Sequence, residues 1–162
     1  MKQDRFLTYI LIGIGALVLI ALGLFFSRGD TAMAYGADDT PEGVVHNYIV
    51  AVFQKDYEKA YSYLAENPNK PTLEQFRQSF LQNYINPDNT GVDIGATVLN
   101  GPDHAIVTLH IQYGNNDPFS SGYRNEELAS LVKQNGAWKL EQMPYNFWAY
   151  DWYTPMPAPF KP

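Results

Sequence analysis

The chain has 162 residues, a formal net charge of −6 and no cysteine. The absence of cysteine excludes disulfides, thiolate metal sites and cysteine nucleophiles. The charge is uneven, because the residues up to Arg28 carry a net +2 and those from Gly29 onward carry −8. An acidic domain repels phosphate backbones, so nucleic acid is not expected as a partner.

Residues 6–26 form an uncharged, mainly apolar run of 21 residues. As a helix rising about 1.5 Å per residue, the run spans about 31 Å, close to the ~30 Å hydrocarbon core of a bilayer. Lys2 and Arg5 precede it and Arg28 follows it. The positive-inside rule then places the N-terminus in the cytoplasm. We therefore predict that residues 1–28 are a single-pass anchor in a bacterial cytoplasmic membrane, with the rest of the chain periplasmic or extracellular.

A cleaved signal peptide is the alternative to a retained anchor. Residues 32–34, Ala-Met-Ala, match the small-x-small pattern of a cleavage site. However, the apolar region of a signal peptide usually runs 7–15 residues, and Arg28 and Asp30 separate this longer run from the site. The retained anchor is the preferred interpretation, and cleavage after Ala34 stays open.

Three helices are predicted after a linker at residues 29–39. Residues 40–42, Thr-Pro-Glu, supply an N-cap, a proline at N1 and an acid in the first turn. Asp56 caps the second helix, and Thr72 with Gln75 forms a capping box for the third. Helical spacing predicts these core positions: Val44, Val45, Tyr48, Ile49, Val52 and Phe53; Tyr57, Ala60, Tyr61 and Leu64; Leu73, Phe76, Phe80 and Tyr84.

Four strands are predicted after residue 90, because the apolar period changes from 3.6 to 2. The third and fourth are expected at 123–133 and 137–143, joined by Asn135-Gly136, which is typical of a type I′ turn. Trp138 follows that turn and is expected to be buried. Three helices followed by four antiparallel strands predict an α+β domain. The alternating inward positions are Val92, Ile94, Ala96 and Val98, then Ala105, Val107, Leu109, Ile111 and Tyr113.

The predicted domain resembles the nuclear-transport-factor-2-like superfamily. Residues 40–45 (Thr-Pro-Glu-Gly-Val-Val), Tyr48 and residues 56–61 (Asp-Tyr-Glu-Lys-Ala-Tyr) are similar to the opening helices of such domains. Residues 131–140, with a glycine before a tryptophan, are similar to the superfamily's last hairpin. The resemblance covers residues 40–143 and implies a cone-shaped α+β fold with a pocket between helices and sheet. It does not imply an activity, since the superfamily includes isomerases, dehydratases and many non-catalytic domains.

A pocket enzyme of the resembled family would place an Asp or His with a Tyr in its cone. Tyr48, Tyr61 and Tyr84 are the candidate lining residues of such a pocket. The inward strand positions are aliphatic, and Asp93 is expected to face outward, so no acid–base pair is visible. We therefore predict neither catalytic residues nor a cofactor, and the tyrosines are interpreted as structural.

Metal binding is not predicted either. His104 and His110 share a strand face, but six residues of strand separate them by roughly 20 Å. Residues 115–117, Asn-Asn-Asp, lack the spaced carboxylates of a calcium loop.

Residues 144–162 form a tail rich in aromatic residues and containing five prolines. A tail that stays in water is normally poor in aromatic residues, so this one should be buried against something. Packing on its own domain is one interpretation, and docking on a partner protein or on the lipid headgroup zone is the preferred one. The predicted docking residues are Tyr145, Phe147, Trp148, Tyr150, Trp152, Tyr153 and Phe160.

These features together predict a non-catalytic accessory subunit. It would be held in the lipid bilayer by residues 6–26 and docked on the subunits of a larger integral membrane complex, with an electron-transfer complex favoured by analogy. Two alternatives stay open. One is a membrane-tethered domain that binds a small apolar ligand in its cone, and the other is a pocket enzyme of the isomerase or dehydratase type.

Overall fold

The structure is a computed structural model that describes residues 5–27, 33–114 and 123–154. It divides into two units, Met1–Ala34 and Tyr35–Pro162. The first unit contains helix α1 (Arg5–Ser27), in which every side chain from residue 8 to residue 23 is exposed. Within the described part of the chain, no helix is long and apolar enough to cross a membrane.

The second unit contains three further helices, α2 (Pro41–Phe53), α3 (Tyr57–Ser62) and α4 (Leu73–Leu81). Their N-termini follow the predicted capping chemistry. The Thr40 side chain accepts a hydrogen bond from the Gly43 amide, and the Asp56 side chain accepts one from the Lys59 amide. Both halves of the capping box that begins at Thr72 are formed. The three predicted helices and their starts are confirmed.

Four strands follow: β1 (Thr90–Leu99), β2 (His104–Tyr113), β3 (Tyr123–Gln134) and β4 (Ala137–Gln142). They form one antiparallel sheet in the order β1-β2-β3-β4, so the predicted α+β class is confirmed. Asn135 and Gly136 have φ values of 53° and 83°. Two consecutive positive φ angles are those of a type I′ turn, which confirms the predicted hairpin.

Strand β1 departs from the predicted alternation. Its pairing with β2 shifts between Ile94 and Thr97, which indicates a bulge. Residues beyond the bulge exchange faces, so Ala96 and Val98 are exposed although they were predicted to face the core. The Thr97 hydroxyl instead donates to the Glu42 carboxylate on α2 at 3.1 Å.

The core lies between the helices and one face of the sheet. Strand β2 contributes the fully buried Val107, Leu109 and Ile111, as predicted. Trp138 is 8% exposed, so its predicted burial is also confirmed. The unpaired edge of β4 is covered by residues 63–65, because the Leu140 amide donates to the Tyr63 carbonyl and its carbonyl accepts from the Ala65 amide, both at 2.8 Å.

Helix α2 also buries residues outside its predicted core positions. Asn47 is 1% exposed, and its side-chain amide exchanges two hydrogen bonds with the backbone of Gly36, at 2.8 and 2.9 Å. These bonds satisfy a polar group that would be costly to bury alone. Residues 35–39, predicted as linker, therefore belong to the second unit.

Helix α4 and the residues after it contribute fewer side chains to the core than predicted. Phe76 and Phe80 are buried, but Leu73 is 37% exposed and Tyr84 is 79% exposed. The helix ends at Leu81, and Asn83 has a φ of 64°. This left-handed residue breaks the helical spacing before Tyr84. The prediction that Tyr84 is a core residue is therefore wrong.

Candidate functional site

The interior beneath the helices is occupied by the start of the aromatic tail. Phe147, Trp148 and Trp152 are 0%, 4% and 7% exposed. The Trp152 ring stacks on Phe76 with centroids 4.9 Å apart, and the Trp148 ring lies 6.4 Å from that of Tyr48. Aromatic pairs at these separations attract beyond the effect of buried area. These three tail residues are therefore part of the core.

Hydrogen bonds hold the same segment in place. The fully buried Tyr48 hydroxyl donates to the Phe147 carbonyl at 2.6 Å. The Tyr153 hydroxyl donates to the Ala65 carbonyl at 2.5 Å. The tail is thus attached both to α2 and to the segment that covers the edge of β4.

The prediction that the aromatic tail residues dock on a partner is wrong for three of them. Phe147, Trp148 and Trp152 are buried in their own domain and are not available to a partner, so self-packing is the correct interpretation for these three residues. Tyr153 is half-buried. Tyr145 and Tyr150 are 72% and 84% exposed and remain candidate docking residues. Phe160 lies outside the described residues.

The three tyrosines predicted to line a pocket do not come together. Tyr48 is fully buried among other rings. Tyr61 is half-buried, and its hydroxyl donates to the Pro71 carbonyl at 2.8 Å. Tyr84 is on the surface. The structure therefore contradicts a shared cavity lined by these residues.

Burial raises the pKa of Tyr48 well above its usual value of 10.0, and the neighbouring Tyr153 raises it further. The folded state therefore retains the phenol proton at a pH where the unfolded chain loses it. A pKa that is higher in the folded state gives stability that is present below about pH 10 and lost as the pH rises above it.

Replacing Tyr48 by phenylalanine should lower the free energy of unfolding at pH 7 by about 1–3 kcal/mol, because the buried Phe147 carbonyl loses its donor. It should also reduce the fall in stability between pH 10 and pH 12. Urea unfolding of both chains across this range measures both effects. The exposed Tyr145 offers a matched control, since Tyr145→Phe should change neither the stability nor its pH profile. If the stability of the Tyr48 variant fell as steeply between pH 10 and pH 12 as that of the unchanged chain, the fall would come from other tyrosines.

A polar cluster at one end of the sheet was not predicted. The Tyr113 hydroxyl lies 3.1 Å from both the Glu127 carboxylate and the Asn146 side-chain oxygen. The Asn146 amide in turn donates to the Thr90 hydroxyl at 3.3 Å. Burial and then the hydrogen bond to Glu127 raise the pKa of Tyr113.

The register of the sheet explains why this cluster forms. Glu127 pairs with the buried Leu109, so it shares the inner face of the sheet. Alternation in β3, counted from the buried Ala129, is the sequence signal that could have located it. Because Asn146 belongs to the tail, the cluster joins the tail to the sheet.

Described residues of the second unit line two surface clefts of different size. The smaller has a volume of about 240 Å³ and lies between the end of α2 and the segment after α4. The larger, here called the amide cleft, has a volume of about 550 Å³ and lies between α4, the segment before it and the tail. Its lining includes Asn69, Gln75, Gln78, Gln82, Tyr84 and Trp152.

Candidate metal ligands do not cluster. In residues 5–27, 33–114 and 123–154, no group of three His, Cys, Asp or Glu side chains could hold a metal ion. The Asn115–Asp117 segment lies outside these ranges.

No protein-family model matches the chain, and no curated protein is similar to it. Among solved structures, it is similar to a ketosteroid isomerase-like protein from Erwinia carotovora atroseptica, with 17% identity, a TM-score of 0.45 and coverage of 69% of this chain and 92% of that one. An NTF-2-like protein of unknown function from Shewanella oneidensis has 10% identity, a TM-score of 0.46 and coverage of 64% and 92%. A cystatin-fold protein from Novosphingobium aromaticivorans has 12% identity, a TM-score of 0.43 and coverage of 66% and 100%. These TM-scores lie below 0.5, so none of the three proteins informs the function of this chain.

Proposed function

We propose that the protein is a non-catalytic accessory subunit of a membrane complex. Residues 6–26 anchor it in a bacterial cytoplasmic membrane, and its nuclear-transport-factor-2-like domain lies on the outer side. The observation that carries this proposal is the interior of the domain, which is filled by the protein's own aromatic side chains.

The filled interior favours a scaffold over a pocket protein. Small-molecule sites are concave and typically measure about 300–1,000 Å³. Here Tyr48, Phe76 and Phe147 lie between the helices and the sheet, and each is 0% exposed. A ligand in the cone would have to displace the tail and break the hydrogen bond from Tyr48 to Phe147. This cost argues against both the apolar-ligand and the pocket-enzyme alternatives.

Support for the anchor comes from the uncharged run at residues 6–26 and from the apolar surface of α1. Leu11, Leu17 and Leu19 are 62–71% exposed. Apolar area left in water costs about 25 cal/mol per Å², so such a helix requires a lipid or protein environment. An electron-transfer complex is our preferred partner by analogy, because such assemblies contain small one-helix subunits.

The exposed tail tyrosines are the proposed contact with that complex. Tyr145 and Tyr150 lie on either side of the buried Phe147 and Trp148 in the sequence. The packed segment therefore holds both tyrosines at fixed positions on the surface. Tyrosines are enriched in interface hot spots, and a rigid base lowers the entropy lost on binding.

Extraction of native membranes in a gentle detergent, followed by affinity purification and mass spectrometry, tests this proposal. The full chain should recover integral membrane proteins reproducibly. The double variant Tyr145→Ser/Tyr150→Ser should recover about tenfold less, which corresponds to about 1.4 kcal/mol of binding free energy.

The control is Tyr123→Ser, which changes a tyrosine that is 69% exposed on β3 and outside the tail. It should recover partners as the unchanged chain does. Equal recovery by the double variant would show that the tail tyrosines do not dock. A mature chain that begins at Tyr35 and stays in the aqueous fraction would contradict the anchor.

A further inference from the structure

We propose that the amide cleft is a binding site for a short, uncharged oligosaccharide. The cleft measures about 550 Å³, within the range of about 300–1,000 Å³ typical of small-molecule sites. It lies outside the filled interior, so a ligand can enter it without displacing the tail. Three features of its lining favour a sugar: side-chain amides, exposed aromatic surface and little free charge.

The amides match the hydrogen-bonding chemistry of sugar hydroxyls. Each hydroxyl both donates and accepts, and a side-chain amide offers two donors and an acceptor. Gln78 lies in α4, and Gln82, four positions later, is the C-cap residue of that helix. The Gln78 amide donates to Glu74 at 2.7 Å, and the Gln82 amide donates to the Gln78 oxygen at 3.2 Å. This ladder orders the amides before a ligand arrives, which lowers the entropy cost of binding.

The aromatic wall of the cleft supplies a surface for the C–H face of a sugar ring. Tyr84 carries a large aromatic side chain that is 79% exposed. The left-handed Asn83 directs the chain out of α4 just before it, and the Tyr84 ring then lines the cleft. Trp152 also lines the cleft, but it is 7% exposed and stacked on Phe76, so Tyr84 supplies the accessible ring.

The charge of the lining favours a neutral ligand. Lys70 carries the only positive charge among the described lining residues. Its ammonium group already pairs with Glu66 at 2.8 Å and lies 4.3 Å from the centre of the Tyr61 ring. Asp151 adds an exposed carboxylate, which can accept from hydroxyls but repels anions. Phosphorylated or sulfated ligands are therefore disfavoured.

Calorimetric titration of the full chain, held in a detergent without a sugar headgroup, tests the site. The probes are cellobiose, maltose and chitobiose, and at least one should bind with a Kd of about 1 mM or tighter. Tyr84→Ala and Gln82→Leu should each weaken that binding about tenfold. The matched control is Tyr123→Ala, which removes a tyrosine that is 69% exposed on β3 and does not line the cleft, and it should bind normally.

Thermal melts of the variants and titrations with a proline-rich peptide and a phosphorylated sugar complete the test. Thermal melts of all variants should agree, because Tyr84, Gln82 and Tyr123 are exposed. The proposal is overturned if none of the three sugars binds, if the control weakens as much as Tyr84→Ala does, or if a proline-rich peptide or a phosphorylated sugar binds more tightly. Because this test uses the isolated chain, its result is independent of partner recovery from membranes.

Discussion

Ending the chain at Met143 should abolish cooperative folding of the second unit, whereas ending it at Thr154 should leave the thermal melt unchanged. The shorter chain lacks Phe147, Trp148 and Trp152, which are at most 7% exposed. Removing one large buried aromatic side chain typically costs about 3–5 kcal/mol. The loss of three approaches the whole free energy of unfolding of a typical domain, about 5–15 kcal/mol.

The reason lies in what the tail covers. Without the tail, the rings of Tyr48, Phe53 and Phe76 each lose an aromatic partner, and the buried Tyr48 hydroxyl loses its acceptor. Circular dichroism melts of chains beginning at Tyr35 and ending at Met143, Thr154 or Pro162 make the comparison. A cooperative melt of the shortest chain would show that the interior closes without the tail. A lowered melt of the chain ending at Thr154 would show that residues beyond it also stabilise the fold.

The elements that could be predicted from sequence are those determined by local chemistry. A threonine followed three residues later by glutamine defines the start of α4, because both groups of the capping box lie within one turn. Asn135 and Gly136 define the hairpin, because few other residues adopt two positive φ angles in succession. Neither feature depends on the rest of the fold.

The features that were missed depend on distant partners. The composition of the tail predicted that it would be buried, but composition does not distinguish the protein's own core from a partner's surface. The gap that the tail fills exists only after α2 and α4 have packed. The bulge after Ile94 reverses the faces of β1, and Gly95, which lies inside it, is the sequence signal that was not used. Glu127 was overlooked because its partner Tyr113 also bonds to Asn146 in the tail, and the sequence does not show that these groups meet.

Helix α4 allows the predicted packing to be tested at single residues. Phe76→Ala should lower the free energy of unfolding by about 3–5 kcal/mol, because the ring is 0% exposed and its loss leaves a cavity. The ring lies 4.9 Å from that of Trp152 and 6.4 Å from that of Tyr48, so the cavity would open between helix and tail. Urea unfolding of the second unit at pH 7 measures the loss.

The control is Leu81→Ala on the same helix, where the side chain is 55% exposed. Alanine has the higher helix propensity, and surface changes usually alter stability by no more than about 0.5 kcal/mol. A large loss for Leu81→Ala with a small loss for Phe76→Ala would mean that α4 presents the opposite face to the core. Both the aromatic cluster with the tail and the lining of the amide cleft depend on that orientation, because Gln78 and Gln82 occupy the outer face only if Phe76 points inward.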